Sequence, residues 1–169
     1  MTPSRHTPDE HPSPTDNRGP AWLGLLIFFS AVLTVAVLGA VAASSSTETY
    51  RQLDLPAFAP PSWLFGPVWS VLYVMIAVSG WLAWRAGAGA LSLTAWAIQL
   101  LLNLGWTPLF FAWDKPVAAL IDIVALLLVV LTTIALFHRS SPLSAWLLAP
   151  YEAWVAFATA LNAGIVLLN

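Results

Sequence analysis

Trp96, Gln99, Asn103, Trp106 and Phe110 recur at steps of three and four, which on a helix gathers two carboxamides and three aromatic planes on one face. A second stripe, Tyr151, Trp154, Ala158 and Asn162, has the same period, and Trp69 and Tyr73 add an i, i+4 pair. Amides donate and accept hydrogen bonds, while indole and phenol rings offer flat apolar faces. Three converging stripes of this kind would line a cavity for a large, flat, apolar ligand. Read one at a time, each stripe equally suits interhelical packing with a hydrogen bond across the seam.

Conventional catalytic sets are absent from the sequence. It contains no cysteine, no metal-ligand spacing, no phosphate-binding glycine loop and no nucleophile motif. The three histidines, His6, His11 and His138, all fall outside the apolar interior of the runs described below, which argues against an axial haem ligand there. Two carboxylates, Asp122 and Glu152, stand inside apolar runs at different expected depths, too far apart for a paired acid/base mechanism. We therefore expect no catalytic residue, no metal and no obligatory cofactor.

The elements that must carry these stripes follow from composition. Of 169 residues 59% are hydrophobic and 8% charged, and the net charge is −2. Such a chain cannot build a water-soluble surface of mixed charge, and it has no cationic cluster to track nucleic acid. Its apolar residues fall into five runs, about 21–43, 67–84, 91–113, 116–137 and 143–168. Each is near the ~20 residues that cross a hydrocarbon core as a helix. The runs are continuous rather than alternating, which disfavours barrel strands. The expected fold class is all-α, an integral membrane bundle of five transmembrane helices.

Residues 1–20 are polar and proline-rich, the composition of a disordered tail. The run after them exceeds the ~7–15 apolar residues of a signal peptide, so a retained span is expected. If the tail shares a side with the second and fourth connections, that side holds Arg5, Arg18, Arg85 and Arg139 against Arg51 and Lys115 opposite, which places the N-terminus in the cytoplasm. Short later connections predict that consecutive helices pack as antiparallel neighbours. The ladder Ala156, Ala160, Gly164 allows close helix approach, within the bundle or between protomers, and is expected to pack within the bundle. The long loop 44–66 reads either as a lid over one mouth of the bundle or as an interfacial segment whose aromatics sit among headgroups. After it, Pro67 falls at the expected helix start, where its missing donor costs nothing.

The stretches PPSWLFGPVWSVLY, QLLLNLGWTPLFF and PYEAWVAFATALN, in that order on the second, third and fifth runs, resemble the TspO/MBR family, the tryptophan-rich sensory and translocator proteins. The resemblance covers roughly residues 22–168 and includes ten tryptophans. It implies a five-helix domain over 21–169, commonly a homodimer, with a pocket closed by the first loop. Members bind porphyrins such as protoporphyrin IX or related haem-like tetrapyrroles, and flat synthetic ligands. Matched motif by motif, the ligand-binding candidates are Tyr50, Trp63, Trp69, Tyr73, Asn103, Trp106, Trp154 and Asn162, with Pro60 and Pro61 at the junction of loop and helix. The implied function is a membrane tetrapyrrole-binding receptor or transporter with a sensory role. Light- and oxygen-dependent degradation of protoporphyrin IX, as an enzyme, and regulation of a partner protein according to ligand level are the alternatives. The chain ends NAGIVLLN, without the tyrosine and basic residue of the sterol motif proposed for animal members.

Overall fold

Proline punctuates the helix starts. Pro20 precedes α1 (Ala21–Ala42), while Pro116 and Pro142 open α4 (Pro116–His138) and α5 (Pro142–Leu168), where the missing N–H would have had no partner in any case. Ser141 caps α5 by accepting from the Ser144 N–H at 3.3 Å. These helices, with α2 (Phe65–Arg85) and α3 (Ala90–Thr107), come from a computed structural model that describes residues 20–44, 50 and 52–169. The tail expected over 1–20, Pro20 excepted, and residues 45–49 and 51 of the loop lie outside the described residues. All five helices are long and apolar enough to cross a membrane, and the protein is an integral, multi-pass, all-α bundle.

Two helix ends differ from the sequence pattern in ways that matter for the cavity. α2 does not begin at Pro67. A 3₁₀ turn, Ser62–Leu64, closed by the Leu64 N–H donating to the Pro61 carbonyl at 3.0 Å, leads directly into Phe65. Pro67 still lies in the first turn, so the helix extends back two residues without losing a bond. α3 continues past Thr107 as a π-helical turn, Pro108–Ala112. Pro108 has no N–H to continue the α-helical ladder, and the wider turn that replaces it is closed by the Trp113 N–H donating to the Pro108 carbonyl at 2.9 Å.

Around the bundle the helices run α1, α2, α5, α4, α3, with α3 returning to α1. The most extensive packing is α4 on α5, then α3 on α4. α2 and α3, although joined by the short turn 86–89, barely pack on each other, which corrects the expectation for that pair. The ring order is the reason, since α1 packs on both and lies between them, and Trp96 is what reaches across. Its ring projects from α3 to α2, donates Nε1–H to the Ile76 carbonyl at 3.1 Å, and takes the Phe28 ring edge-on at 4.8 Å. Gly80 makes room for it, since a Cβ there would stand 2.6 Å from Trp96 Cε2. A large ring thus fills the space between the two backbones at one end, while the other end is left open.

The small-residue ladder of α5 is also not where its spacing suggested. Ala156 and Ala160 are exposed on the outer face, and only Gly164 is covered, by Pro56 of the loop. The faces of α5 that enter the bundle carry Leu148, Tyr151, Val155, Leu161, Asn162 and Ile165.

Candidate ligand-binding cavity

The gap between α2 and α3 opens into a cavity of about 440 Å³. Its walls begin with small residues. Ala36, Gly39 and Ala40 on α1 and Ala43 just past its end, spaced i, i+3, i+4 and i+7, present backbone and methyl groups where longer side chains would fill the space. α2 contributes Phe65, Trp69, Ser70 and Tyr73, and α3 contributes Asn103, Trp106 and Thr107. The π turn swings Phe111 into the wall and leaves Phe110 buried against Trp106, the two rings stacked 5.2 Å apart at 23°. Tyr50 closes the loop side.

One polar bridge crosses this aromatic enclosure. Tyr73 Oη donates to Asn103 Oδ1 at 3.0 Å, and Asn103 Nδ2 donates to the hydroxyl of the fully buried Tyr151 at 3.3 Å, so α2, α3 and α5 share one network. A second bridge lies behind the wall. Trp106 Nε1–H donates to Asn162 Oδ1 at 3.1 Å, and Asn162 Nδ2 donates to the Pro116 carbonyl at 3.0 Å, fixing the indole plane from α5 and the start of α4. The Trp106 indole is thereby held at a set angle.

At the mouth, Tyr50 Oη donates to the Pro60 carbonyl at 3.1 Å and its ring meets Phe65 edge-on at 5.7 Å. Burial pushes the Tyr50 phenol above its ordinary value of 10.0, so the neutral donor form is favoured.

Of the residues named from sequence, Tyr50, Trp69, Tyr73, Asn103 and Trp106 line the cavity. Trp154 and Asn162 stand one layer behind it. Trp154 borders a narrow void of about 10 Å³ shared with Phe65, Trp69, Asn103 and Trp106. Its indole meets Phe65 edge-on at 5.9 Å, and its Nε1 has no hydrogen-bond partner among the described residues. Trp63 lies apart, 70% exposed on the 3₁₀ turn, a position suited to an interfacial anchor. Thr107, Phe111 and the small residues at the end of α1 were not singled out from sequence, and Phe65 read only as an aromatic of the loop; the spacing of Ala36, Gly39, Ala40 and Ala43 was the available signal.

The two intramembrane carboxylates line no part of the cavity. Asp122 packs under α3, its Oδ1 3.4 Å from where a Cβ on Gly105 would stand. Asp122 Oδ2 and Glu152 Oε2 are buried and lack partners among the described residues.

Five apolar helices in this ring order, around a cavity walled by indole, phenol and phenyl faces and crossed by one amide bridge, define a multi-pass helical membrane protein with an aromatic-lined cavity. The chain belongs to the TspO/MBR family, whose model matches residues 28–168. It is 40% identical over 151 residues to the tryptophan-rich protein TspO of Archaeoglobus fulgidus, covering 87% of this chain and 97% of that one. It is 30% identical over 148 residues to the tryptophan-rich sensory protein of Cereibacter sphaeroides, covering 88% and 92%. The human translocator protein is 36% identical over 118 residues, covering 67% of this chain and 70% of that protein.

Proposed function

We propose that the protein is a membrane tetrapyrrole-binding receptor or transporter with a sensory role, acting as a homodimer with the residues before α1 in the cytoplasm. The observation that carries this reading is the cavity of about 440 Å³ whose faces are aromatic and whose polar groups are the hydroxyls of Tyr50, Ser62, Ser70, Tyr73 and Thr107 and the amide of Asn103. That volume lies within the roughly 300–1,000 Å³ typical of small-molecule sites. A planar macrocycle would stack against Trp69 and Trp106, each such aromatic pair contributing about 0.5–1.5 kcal/mol beyond its apolar burial. Peripheral carboxylates would reach the hydroxyls of Ser62, Ser70 and Thr107 along the same lining. A sensory role draws support from the Cereibacter relative, which is named a sensory protein.

The test is a titration of the purified protein with protoporphyrin IX, followed through the porphyrin absorption band in the dark. We expect saturable binding that weakens at least tenfold in Trp69→Ala, about 1.4 kcal/mol, while Trp146→Ala, on the outer face, binds as the parent does. Equal affinity in all three proteins would overturn the site. Repeating the titration under light and oxygen separates binding from degradation, because only an enzyme consumes several porphyrins per chain.

A further inference from the structure

The loop that closes the cavity is attached to the far end of α5. Beyond α5, Asn169 turns its side chain onto the loop backbone. Its Oδ1 accepts from the Asp54 N–H at 3.1 Å, and its Nδ2 donates to the Asp54 carbonyl at 3.0 Å. The carboxamide thus pairs with one residue as a neighbouring strand would, using both its donor and its acceptor. Asn169 is itself fixed, since its backbone N–H and its Nδ2 both also donate to the Ile165 carbonyl, at 3.1 and 3.0 Å.

Two apolar contacts lie along the same side of α5. Pro56 rests on Gly164, where a Cβ would stand 3.0 Å from its Cγ, and Phe58 meets Phe157 edge-on at 6.2 Å. Between them the strap is braced internally by the Ala59 N–H donating to the Pro56 carbonyl at 2.9 Å. At its end the Pro60 carbonyl holds the Tyr50 hydroxyl, and Tyr50 is the cavity wall on that side. Displacement of the strap therefore carries Tyr50 with it.

We propose that the Asn169 carboxamide is the clasp of a hinged strap, residues 53–61, and that its release sets how fast molecules enter and leave the cavity. Asn169 acts as a positioning residue: it touches Asp54, not the cavity. Its two bonds to the strap are exposed and neutral, the kind that opens and recloses readily, whereas Pro56 and Phe58 guide the strap back to the same place. Pro60 and Pro61 restrict the backbone at the junction with α2, so the strap moves as a unit rather than fraying. The gating half of the proposal rests on the cavity being the binding site.

The natural chain has no cysteine, so Thr107→Cys supplies a sole thiol inside the cavity. In bilayer nanodiscs, two quantities are measured for this protein with and without Asn169→Ala: hydrogen exchange of residues 53–61, and the labelling rate of the thiol by a small maleimide. Loss of two exposed hydrogen bonds should raise both by about tenfold, with α4 amides unchanged as the check on folding. Gly164→Leu, which leaves the carboxamide in place but drives a side chain into Pro56, should act in the same direction. Unchanged exchange in Asn169→Ala overturns the clasp. Faster exchange with unchanged labelling overturns its role as a gate. Neither readout uses a porphyrin, so failure of protoporphyrin IX to bind would count against the functional reading alone.

Discussion

Tyr73 and Asn103 hydrogen-bond at 3.0 Å between α2 and α3, the two helices that are consecutive in the chain yet hardly touch. The bond spans the space that Trp96 bridges at the other end, and Asn103 passes it on to Tyr151 of α5. One side chain therefore both lines the cavity and links three of its supporting helices.

That dual role predicts different costs at its two ends. Tyr73→Phe removes one bond between membrane helices and should destabilise by about 0.6 kcal/mol. Asn103→Leu leaves the wholly buried Tyr151 hydroxyl without its amide and should cost about 1–3 kcal/mol. Thermal unfolding in detergent micelles compares the two, and an Asn103→Leu protein as stable as Tyr73→Phe would refute the bridge.

Trp96 makes a steric prediction. A methyl added by Gly80→Ala would meet Trp96 Cε2 at 2.6 Å and Phe28 Cδ1 at 2.7 Å, both held by close packing. Overpacking of this kind costs about 1–3 kcal/mol. The same thermal assay, with tryptophan emission reporting displacement of the indole, measures it.

Gly39 should behave in the opposite way. A Cβ there finds nothing nearer than Thr107 Oγ1 and Tyr73 Oη, both at 3.9 Å, because the position faces the cavity. Gly39→Leu is expected to leave the melting temperature near that of the parent while lowering protoporphyrin IX affinity by about tenfold or more, the side chain occupying space the ligand needs. Unchanged affinity in a folded Gly39→Leu protein would place the ligand elsewhere.

Tyr50 gives the strap a pH dependence. Burial raises its phenol above 10.0, so the contribution of the neutral, hydrogen-bonded form is complete below pH about 10 and is lost as pH rises through the raised value. Hydrogen exchange of residues 53–61, normalised for intrinsic rates, should therefore increase at high pH in the parent. In Tyr50→Phe, which has no phenol to ionise, this extra increase should be missing.

Periodicity was enough to place Trp96, Gln99, Asn103, Trp106 and Phe110 on one face, and all but the partly buried Trp106 are buried in the bundle. It was equally enough to find five spans, because an apolar helix in a bilayer satisfies its own backbone and advertises itself by length and composition. It did not separate Trp69, at the cavity, from Trp63, exposed two turns earlier, since both read as tryptophan after proline. Nor did it distinguish the inward small face of α1, Ala36 to Ala43, from the outward small face of α5, Ala156 and Ala160.

The sequence by itself determined which residues share a face of each helix, because the 3.6-residue period is a local property of the backbone. Only the tertiary structure decided which faces meet. The ring order, the α2 to α3 gap, the α1 wall and the Asn169 clasp depend on side-chain volumes meeting across the bundle. Trp96 opposite Gly80, Pro56 on Gly164 and Asn169 on Asp54 are such meetings, and no local pattern encodes contact between residues so far apart in the chain.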